Sequence, residues 1–208
     1  MSWSWLRLAA FPVVLTVGIL LIPVVEDYSD HEAATRLLSE APVRWAMGHL
    51  VAAAAFGLAV LTAGSVVGAI RSDARRRRAS FALWFMGLGA ALHAAGLGAD
   101  GVGPIAALWA GADPQTFFDG SASLIPPLFI GGAVLFGVGQ ITVIVQVVKD
   151  GRLAGSRAEL ALVTAVFFSL CEALPTGWGL YGVAACSLAL YLPMIGQLGS
   201  PTGTSLTS

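Results

Sequence analysis

The chain has 208 residues, of which 57% are hydrophobic and 11% are charged, with a mean hydropathy of +0.81. Soluble domains carry about 25% charged residues, so this composition excludes an ordinary soluble protein and predicts an integral membrane protein. The 11 basic and 12 acidic residues nearly cancel in sum, but they are strongly segregated along the sequence.

Six apolar segments follow one another along the chain. A hydrocarbon core about 30 Å thick needs about 20 apolar residues per helix, and the segments are close to this length. They lie near residues 5–25, 44–70, 79–99, 122–148, 159–175 and 178–197. The predicted fold class is therefore an all-α integral membrane protein, a six-transmembrane helix bundle, with residues 1–208 forming one domain.

The first apolar segment begins with a single basic residue and resembles a secretory signal sequence. Its apolar stretch is longer than that of a cleaved signal, and no small-x-small cleavage pattern precedes Glu26. These features predict a signal anchor that stays attached as the first membrane helix.

Basic residues are concentrated at three places: Arg7, RSDARRRR (71–78) and KDGRLAGSR (149–157). Lys and Arg in short loops favour the cytoplasmic side of a membrane. With six spans drawn, nine of the eleven basic residues fall on that side, and only Arg36 and Arg44 fall on the other. We predict that both termini are cytoplasmic, in a multi-pass protein of a prokaryotic cytoplasmic membrane.

The first outer loop, SDHEAATRLLSEAP, has the pattern of a short amphipathic helix. Ser29 and Glu32 form an S-x-x-E capping box, which is typical of a helix N-terminus, and Pro42 ends the segment. We predict a short helix on the outer membrane surface.

The second outer connection, residues 100–123, is long and carries three acidic residues and no basic residue. Its apolar side chains, with Pro104 and Pro114, predict short helical turns in the membrane interface. Such a segment is suited to cover a cavity. The next span opens with LIPPLFIGG, in which Pro126 and Pro127 either begin the helix or interrupt it.

Ionisable side chains are rare inside the predicted spans, and three of them share one depth. His49, His93 and Glu172 come from the second, third and fifth spans. In the predicted orientation each lies roughly 5–10 Å below the outer boundary. Because ionisable groups inside a membrane are costly and mark functional sites, the sequence predicts that the three face one site. Each one alone is also compatible with a purely structural hydrogen bond between helices.

Asp100 shares a helix face with His93, two turns further along the chain. A carboxylate that accepts the second ring N–H is the usual support of a metal-bound histidine. We therefore predict that Asp100 orients the His93 ring without being a ligand itself.

Two imidazoles from different helices are suited to the axial ligation of a haem iron, and a carboxylate added to them is suited to a metal ion. The first hypothesis is therefore a small redox or metal-binding membrane protein. In it, His49 and His93 bind haem b, or His49, His93 and Glu172 bind one transition-metal ion near the outer face.

Two further hypotheses belong to different classes. The same polar side chains are suited to a small-solute or proton-coupled carrier or channel. The predicted lack of an extramembrane domain is suited to a noncatalytic subunit of a larger membrane complex. The sequence has no P-loop, nucleophile elbow, H-E-x-x-H or C-x-x-C motif, so no enzyme class is predicted. The expected partners are the lipid bilayer and other membrane proteins or a second copy, not nucleic acid.

Overall fold

The computed structural model describes residues 3–174 and 176–198, with side chains for residues 6–174 and 176–195. Throughout this part of the chain the regular secondary structure is helical, without a strand, and the all-α prediction is confirmed. Eight helices follow in chain order: α1 (Trp3–Leu21), α2 (His31–Glu40), α3 (Pro42–Gly68), α4 (Asp73–Trp109), α5 (Gln115–Ser121), α6 (Ile125–Lys149), α7 (Ser156–Glu172) and α8 (Gly177–Leu198).

Four helices of the described chain, α3, α4, α6 and α8, are long and apolar enough to cross a membrane. The apolar part of α1, Leu6–Leu21, is shorter, and α7 has 17 residues. At about 1.5 Å per residue, α7 extends about 26 Å, slightly less than a hydrocarbon core of roughly 30 Å. The six-span count stays a prediction. The cytoplasmic placement of the two termini also stays a prediction, because residues 1–2 and 199–208 lie outside the described residues.

Six of the helices form a closed ring. Helix α1 packs on α3, α3 on α4, α4 on α6, α6 on α7, α7 on α8, and α8 returns to α1. Sequential neighbours joined by short connections are the usual topology of helix bundles. The short helices α2 and α5 contact each other and lie against α3 and α4, so they cover one end of the ring.

The two ends of this bundle differ in charge. One end contains α2, α5 and nine of the twelve acidic residues, and we call it the acidic end. The opposite end contains the α3–α4 and α6–α7 connections and nine of the eleven basic residues, and we call it the basic end. The strong segregation of charge gives the two ends electrostatic potentials of opposite sign.

At the basic end, Asp150 joins the two connections. Its carboxylate accepts the backbone N–H of Arg71 at 2.8 Å and that of Ser72 at 3.1 Å, and lies 3.3 Å from the Arg75 guanidinium. The Arg71 N–H above all, then Ser72 and Arg75, hold the pKa of Asp150 below its usual range. These contacts place both arginine-rich connections at one end of the bundle.

The middle of the bundle is filled by one aromatic ring from each of the six ring-forming helices. The Phe11 centroid lies 5.7–6.2 Å from the centroids of three phenylalanines and one tyrosine. His93 of α4 joins this group, stacked on Phe56 at 4.5 Å. All six side chains are buried. These residues, which we call the aromatic layer, are Phe11, Phe56, His93, Phe136, Phe168 and Tyr191.

Helix α2 is present as predicted, but its predicted capping box is wrong. The N-cap is Asp30, whose carboxylate accepts the Ala33 N–H at 2.9 Å. Ser29 instead donates its backbone N–H and its hydroxyl to the Asp27 carboxylate. An aspartate satisfies the same backbone N–H groups as a serine, and the positive end of the helix dipole favours its charge.

Helix α4 continues well beyond residue 99, where the third span was expected to end. It runs through Pro104 to Trp109, so the predicted loop from Asp100 begins as helix. Pro104 and Gly101 are both buried, and a Cβ on Gly101 would approach the Cβ of His49 to 2.5 Å. This close packing on α3 offsets the one helical hydrogen bond that Pro104 cannot donate.

The two prolines of LIPPLFIGG begin a helix and do not interrupt one. Pro126 and Pro127 occupy the first turn of α6, where a missing N–H removes no helical hydrogen bond. Helix α5 likewise follows directly after Pro114. An interrupted helix therefore gives no support to the carrier hypothesis, which has to rest on other features.

Candidate functional site

A cavity of about 290 Å³ lies at the acidic end, beneath α2 and α5. Most of its wall is apolar, and none of the described residues that line it is Lys or Arg. The cavity brings together residues from most of the helices at this end. Its acidic, histidine and aromatic side chains are those of Tyr28, His31, His49, Asp100, Phe118, Phe129 and Glu172.

His49 is a buried residue of α3 whose two ring nitrogens face different partners. Its Nδ1 lies 2.8 Å from the Trp45 carbonyl oxygen, and its Nε2 lies 3.4 Å from Asp100 Oδ2. The Trp45 indole N–H in turn donates to the Asp100 carbonyl oxygen at 2.9 Å. A carbonyl only accepts, so Nδ1 carries the proton in its contact, and Nε2 is protonated only when the ring is charged.

The predicted link between Asp100 and His93 is wrong. Asp100 faces His49 of the neighbouring helix instead. Seven residues along a helix correspond to roughly 10 Å, which is too far for direct contact between the two side chains. Gly101 meanwhile lets α4 approach α3 closely beside Asp100. The imidazole that Asp100 faces is therefore that of His49 and not that of His93.

His93 is buried one layer deeper than the cavity wall, inside the aromatic layer. Its Nδ1 lies 3.2 Å from the Gly89 carbonyl oxygen, one turn earlier in α4. Its ring stacks on Phe56 of α3, and on the α6 side it lies directly against Gly132, where a side chain would overlap it. Its Nε2 lies 3.3 Å from Glu172 Oε1. His93 therefore contacts the site through Glu172 and does not line the cavity.

Glu172 combines burial with an unsatisfied carboxyl group. Its side chain is 1% exposed, yet it lies on the cavity wall. Neither carboxyl oxygen has a hydrogen-bond partner among the described residues, because the His93 contact lacks hydrogen-bond alignment. Glu172 is also the last residue of α7, where the helix dipole disfavours negative charge. A negative charge here is costly unless a proton or a cation compensates it.

The third histidine of the chain also has a carboxylate partner. His31 of α2 lies 2.6 Å from Asp119 of α5 through Nδ1 and Oδ1, and it lines the cavity. All three histidines are therefore paired with a carboxylate, and each pair has at least one member on the cavity wall. Sequence reasoning gave His31 no role, because 88 positions separate it from its partner.

Sequence reasoning also missed the aromatic part of the wall. Phe118 and Phe129 line the cavity together with Tyr28 from the segment between α1 and α2. Burial, and secondarily the nearby Asp100, raises the pKa of the Tyr28 hydroxyl above its usual value. Tyr28 therefore contributes a neutral hydroxyl at physiological pH.

The predicted metal ligands are divided between two pairs. His49 faces Asp100, and His93 faces Glu172. Within the described part of the chain, no group of three or more His, Cys, Asp or Glu side chains lies close enough to hold one metal ion. The two imidazoles also do not face each other across the cavity, as axial ligation of haem requires. Haem and metal binding stay predictions that no feature of this geometry favours.

Comparison with known proteins found no protein family, no curated protein and no solved structure that matches this chain. The function is therefore argued from the cavity and its histidine–carboxylate pairs.

Proposed function

We propose that the protein is a proton-coupled carrier of a small solute, with the cavity at the acidic end as its binding site. The observation that carries this proposal is the Glu172 carboxyl, which is buried, lies on the wall of the cavity and has no hydrogen-bond partner in the part of the chain that the structure describes. Buried polar groups are nearly always satisfied, and exceptions call for a functional explanation. A solute group that enters the cavity would supply the missing partner.

The coupled proton belongs to the pair of His93 and Glu172. Because His93 Nδ1 donates to the Gly89 carbonyl, a neutral ring turns the lone pair of Nε2 toward the carboxyl. A carboxylate beside that lone pair is repelled. The two residues His93 and Glu172 are therefore most stable with one proton between them in total, held either on the ring or on the carboxyl group. A solute that takes over the interaction with Glu172 releases this proton. Solute and proton are then bound alternately at one place.

The aromatic layer favours a carrier over a channel. Phe168 lies one turn before Glu172 in α7, and His93 itself belongs to the layer. The rings pack against one another and are at most 3% exposed, so they separate the cavity from the basic end. A site reached from one end only is what a carrier presents in one of its two states. A channel requires a continuous polar route.

The hypothesis of a noncatalytic subunit makes no use of the cavity, and the described residues bring together no set of ligands around one centre for the redox hypothesis. Both are distinguished from a carrier by the same experiment. The purified protein is reconstituted in vesicles that contain a pH-sensitive dye, and solutes are added outside. Three probes share a benzyl body: benzyltrimethylammonium, 2-methyl-1-phenylpropan-2-ol and benzylsulfonate.

A carrier moves protons across the vesicle membrane when at least one probe is present. We expect this movement with the unchanged protein and not with Glu172→Gln or with empty vesicles. Glu159→Gln is the matched control, because Glu159 is an exposed carboxylate in the first turn of the same helix. If no probe moves protons, or if Glu172→Gln retains the movement, the carrier proposal is wrong.

A further inference from the structure

We infer that the solute is a monovalent organic cation with a compact apolar body, and that it binds with its positive charge beside Glu172. This inference names the substrate class of the carrier proposed above and rests on that proposal for its physiological meaning. The binding site itself is argued independently, from charge, wall chemistry, size and the protonation of Glu172.

The charges around the cavity select a cation. Two carboxyl groups, those of Glu172 and Asp100, line the wall, whereas the described lining contains neither Lys nor Arg. Nine of the twelve acidic residues are at this end of the bundle, against two of the eleven basic residues. A cleft with low-dielectric walls and one sign of charge concentrates counter-ions of the other sign. An anionic solute would be repelled by these carboxylates, and no basic side chain of the described lining would offset that repulsion.

The rest of the wall selects an apolar body. Tyr28, Phe118 and Phe129 bring three aromatic rings to the cavity, and a cation near such rings is attracted by their faces. The rim between the start of α6 and the end of α7 includes exposed Ile130 and Leu174. A small inorganic cation gains nothing from these apolar surfaces, because it keeps its hydration shell. A cation with an alkyl or aromatic body gains from both.

The size of the cavity limits the body to a compact one. The cavity has a volume of about 290 Å³. It lies at the lower limit of the range of about 300–1,000 Å³ that is typical of small-molecule sites. Benzyltrimethylammonium has a suitable size, and its charge is independent of pH. Any pH dependence of its binding therefore belongs to the protein.

Proton and cation compete at Glu172. The carboxyl group of Glu172 faces His93 of α4 and interacts electrostatically with the Tyr191 hydroxyl of α8. The one ionisable residue of α6 is Lys149, in the last turn of that helix at the basic end. The ionisable side chains elsewhere on the cavity wall are those of Tyr28, His31, His49, Asp100 and Cys171. Binding of the cation requires the His93–Glu172 pair to lose its proton, so affinity falls as the pH is lowered.

The test is equilibrium binding to the intact protein in mild detergent, measured by isothermal titration calorimetry with the three benzyl probes. We expect benzyltrimethylammonium to bind, and the alcohol and the sulfonate to bind at least about ten-fold more weakly, because only the cation compensates the carboxylate. Glu172→Gln should weaken cation binding about 30-fold or more, as expected when a buried charge loses its partner. Glu159→Gln should leave it unchanged. Thermal unfolding and circular dichroism show whether each variant is folded.

Three results would overturn the inference. The first is binding of the alcohol or the sulfonate as tight as that of benzyltrimethylammonium. The second is an unchanged cation affinity in folded Glu172→Gln. The third is a loss of cation affinity in Asp100→Asn but not in Glu172→Gln, which would move the charge site to Asp100. Cation binding in detergent without proton movement in vesicles would leave this inference standing and refute the carrier. Proton movement driven by the alcohol or the sulfonate instead would support a carrier and refute the cation as its solute.

Discussion

The Nε2 of His93 lies 3.3 Å from the Oε1 of Glu172, and this contact joins α4 to α7 across their common neighbour α6. The His93 ring lies against Gly132 of α6, which has no side chain to separate it from α7. Each partner would be costly to bury alone in a membrane, and one proton held on either of them lowers the cost of burying both. The pair is a structural contact between the two helices and, in the proposed carrier, the site of proton exchange.

The first prediction concerns the energetic coupling of this pair. His93→Phe keeps a ring on Phe56 but leaves the Glu172 carboxyl buried without its partner, whereas Glu172→Leu removes the carboxyl. We expect a coupling free energy of about 1–3 kcal/mol, because removing one member of a buried pair costs more than removing both. Unfolding free energies of the two single variants, the double variant and the unchanged protein in mixed micelles give this value. Additive losses would contradict a direct interaction.

The second prediction concerns Gly132, which makes room for the His93 ring. A Cβ at Gly132 would overlap His93 Nδ1, whereas a Cβ at Gly131 would make an ordinary contact of 3.6 Å with Leu92. We expect Gly132→Ala to lower the unfolding free energy by about 1–3 kcal/mol, the usual cost of overpacking. Gly131→Ala is the control and should be neutral or stabilising, because alanine favours a helix over glycine by up to about 1 kcal/mol. Equal stability of both variants would contradict the packing described.

The third prediction is a pH dependence at the basic end. The folded-state pKa of Asp150 is lowered by the Arg71 N–H and its neighbours. Its stabilising effect is therefore complete above the pKa of the unfolded carboxyl and is lost as the pH falls through the lower folded value. We expect Asp150→Asn to lower the Tm at neutral pH, with the difference shrinking in acid. Asp73→Asn, which removes an exposed pair with Arg76, should change little. A pH-independent deficit would contradict the assignment.

The fourth prediction concerns the helices that cover the cavity. His31 and Asp119 join α2 to α5 at 2.6 Å, and both are partly exposed. Asp119→Asn should increase amide hydrogen exchange in α2 and α5 by up to about five-fold, as expected from roughly 1 kcal/mol for a partly exposed pair. Glu32→Gln, an exposed change in the first turn of α2, is the control. Unchanged exchange in Asp119→Asn would show that the pair does not hold the two helices together.

The common level of the candidate site residues along their helices was predictable from the sequence, because a rise of about 1.5 Å per residue converts the distance from a span end into a level. Their depth below a membrane surface stays a prediction. His49 and Glu172 were assigned to one level in this way, and both lie on the wall of one cavity. Rotation about a helix axis is far less visible in a sequence that is apolar on all sides. His93 accordingly has the expected neighbour Glu172 but lies behind it, inside the aromatic layer.

The pairing of charges between helices could not be predicted, because it depends on close contacts that only the packed bundle defines. Asp100 faces His49 where Gly101 allows α4 to approach α3. The His31–Asp119 contact depends on two short helices meeting above the cavity. The third span was expected to end at residue 99, where the apolar segment stops, and Pro104 normally disfavours a helix interior. Tertiary packing outweighed that local preference.

The most direct test of the central claim is the number of protons released when benzyltrimethylammonium binds. The release is measured with a pH indicator in weakly buffered detergent solution, across the pH range in which the protein stays folded. We expect a maximum of about one proton per bound cation, because the His93–Glu172 pair exchanges its shared proton for the ligand charge. Glu172→Gln should release none, and Glu159→Gln should behave like the unchanged protein. Saturating cation binding without proton release at any pH would contradict the account.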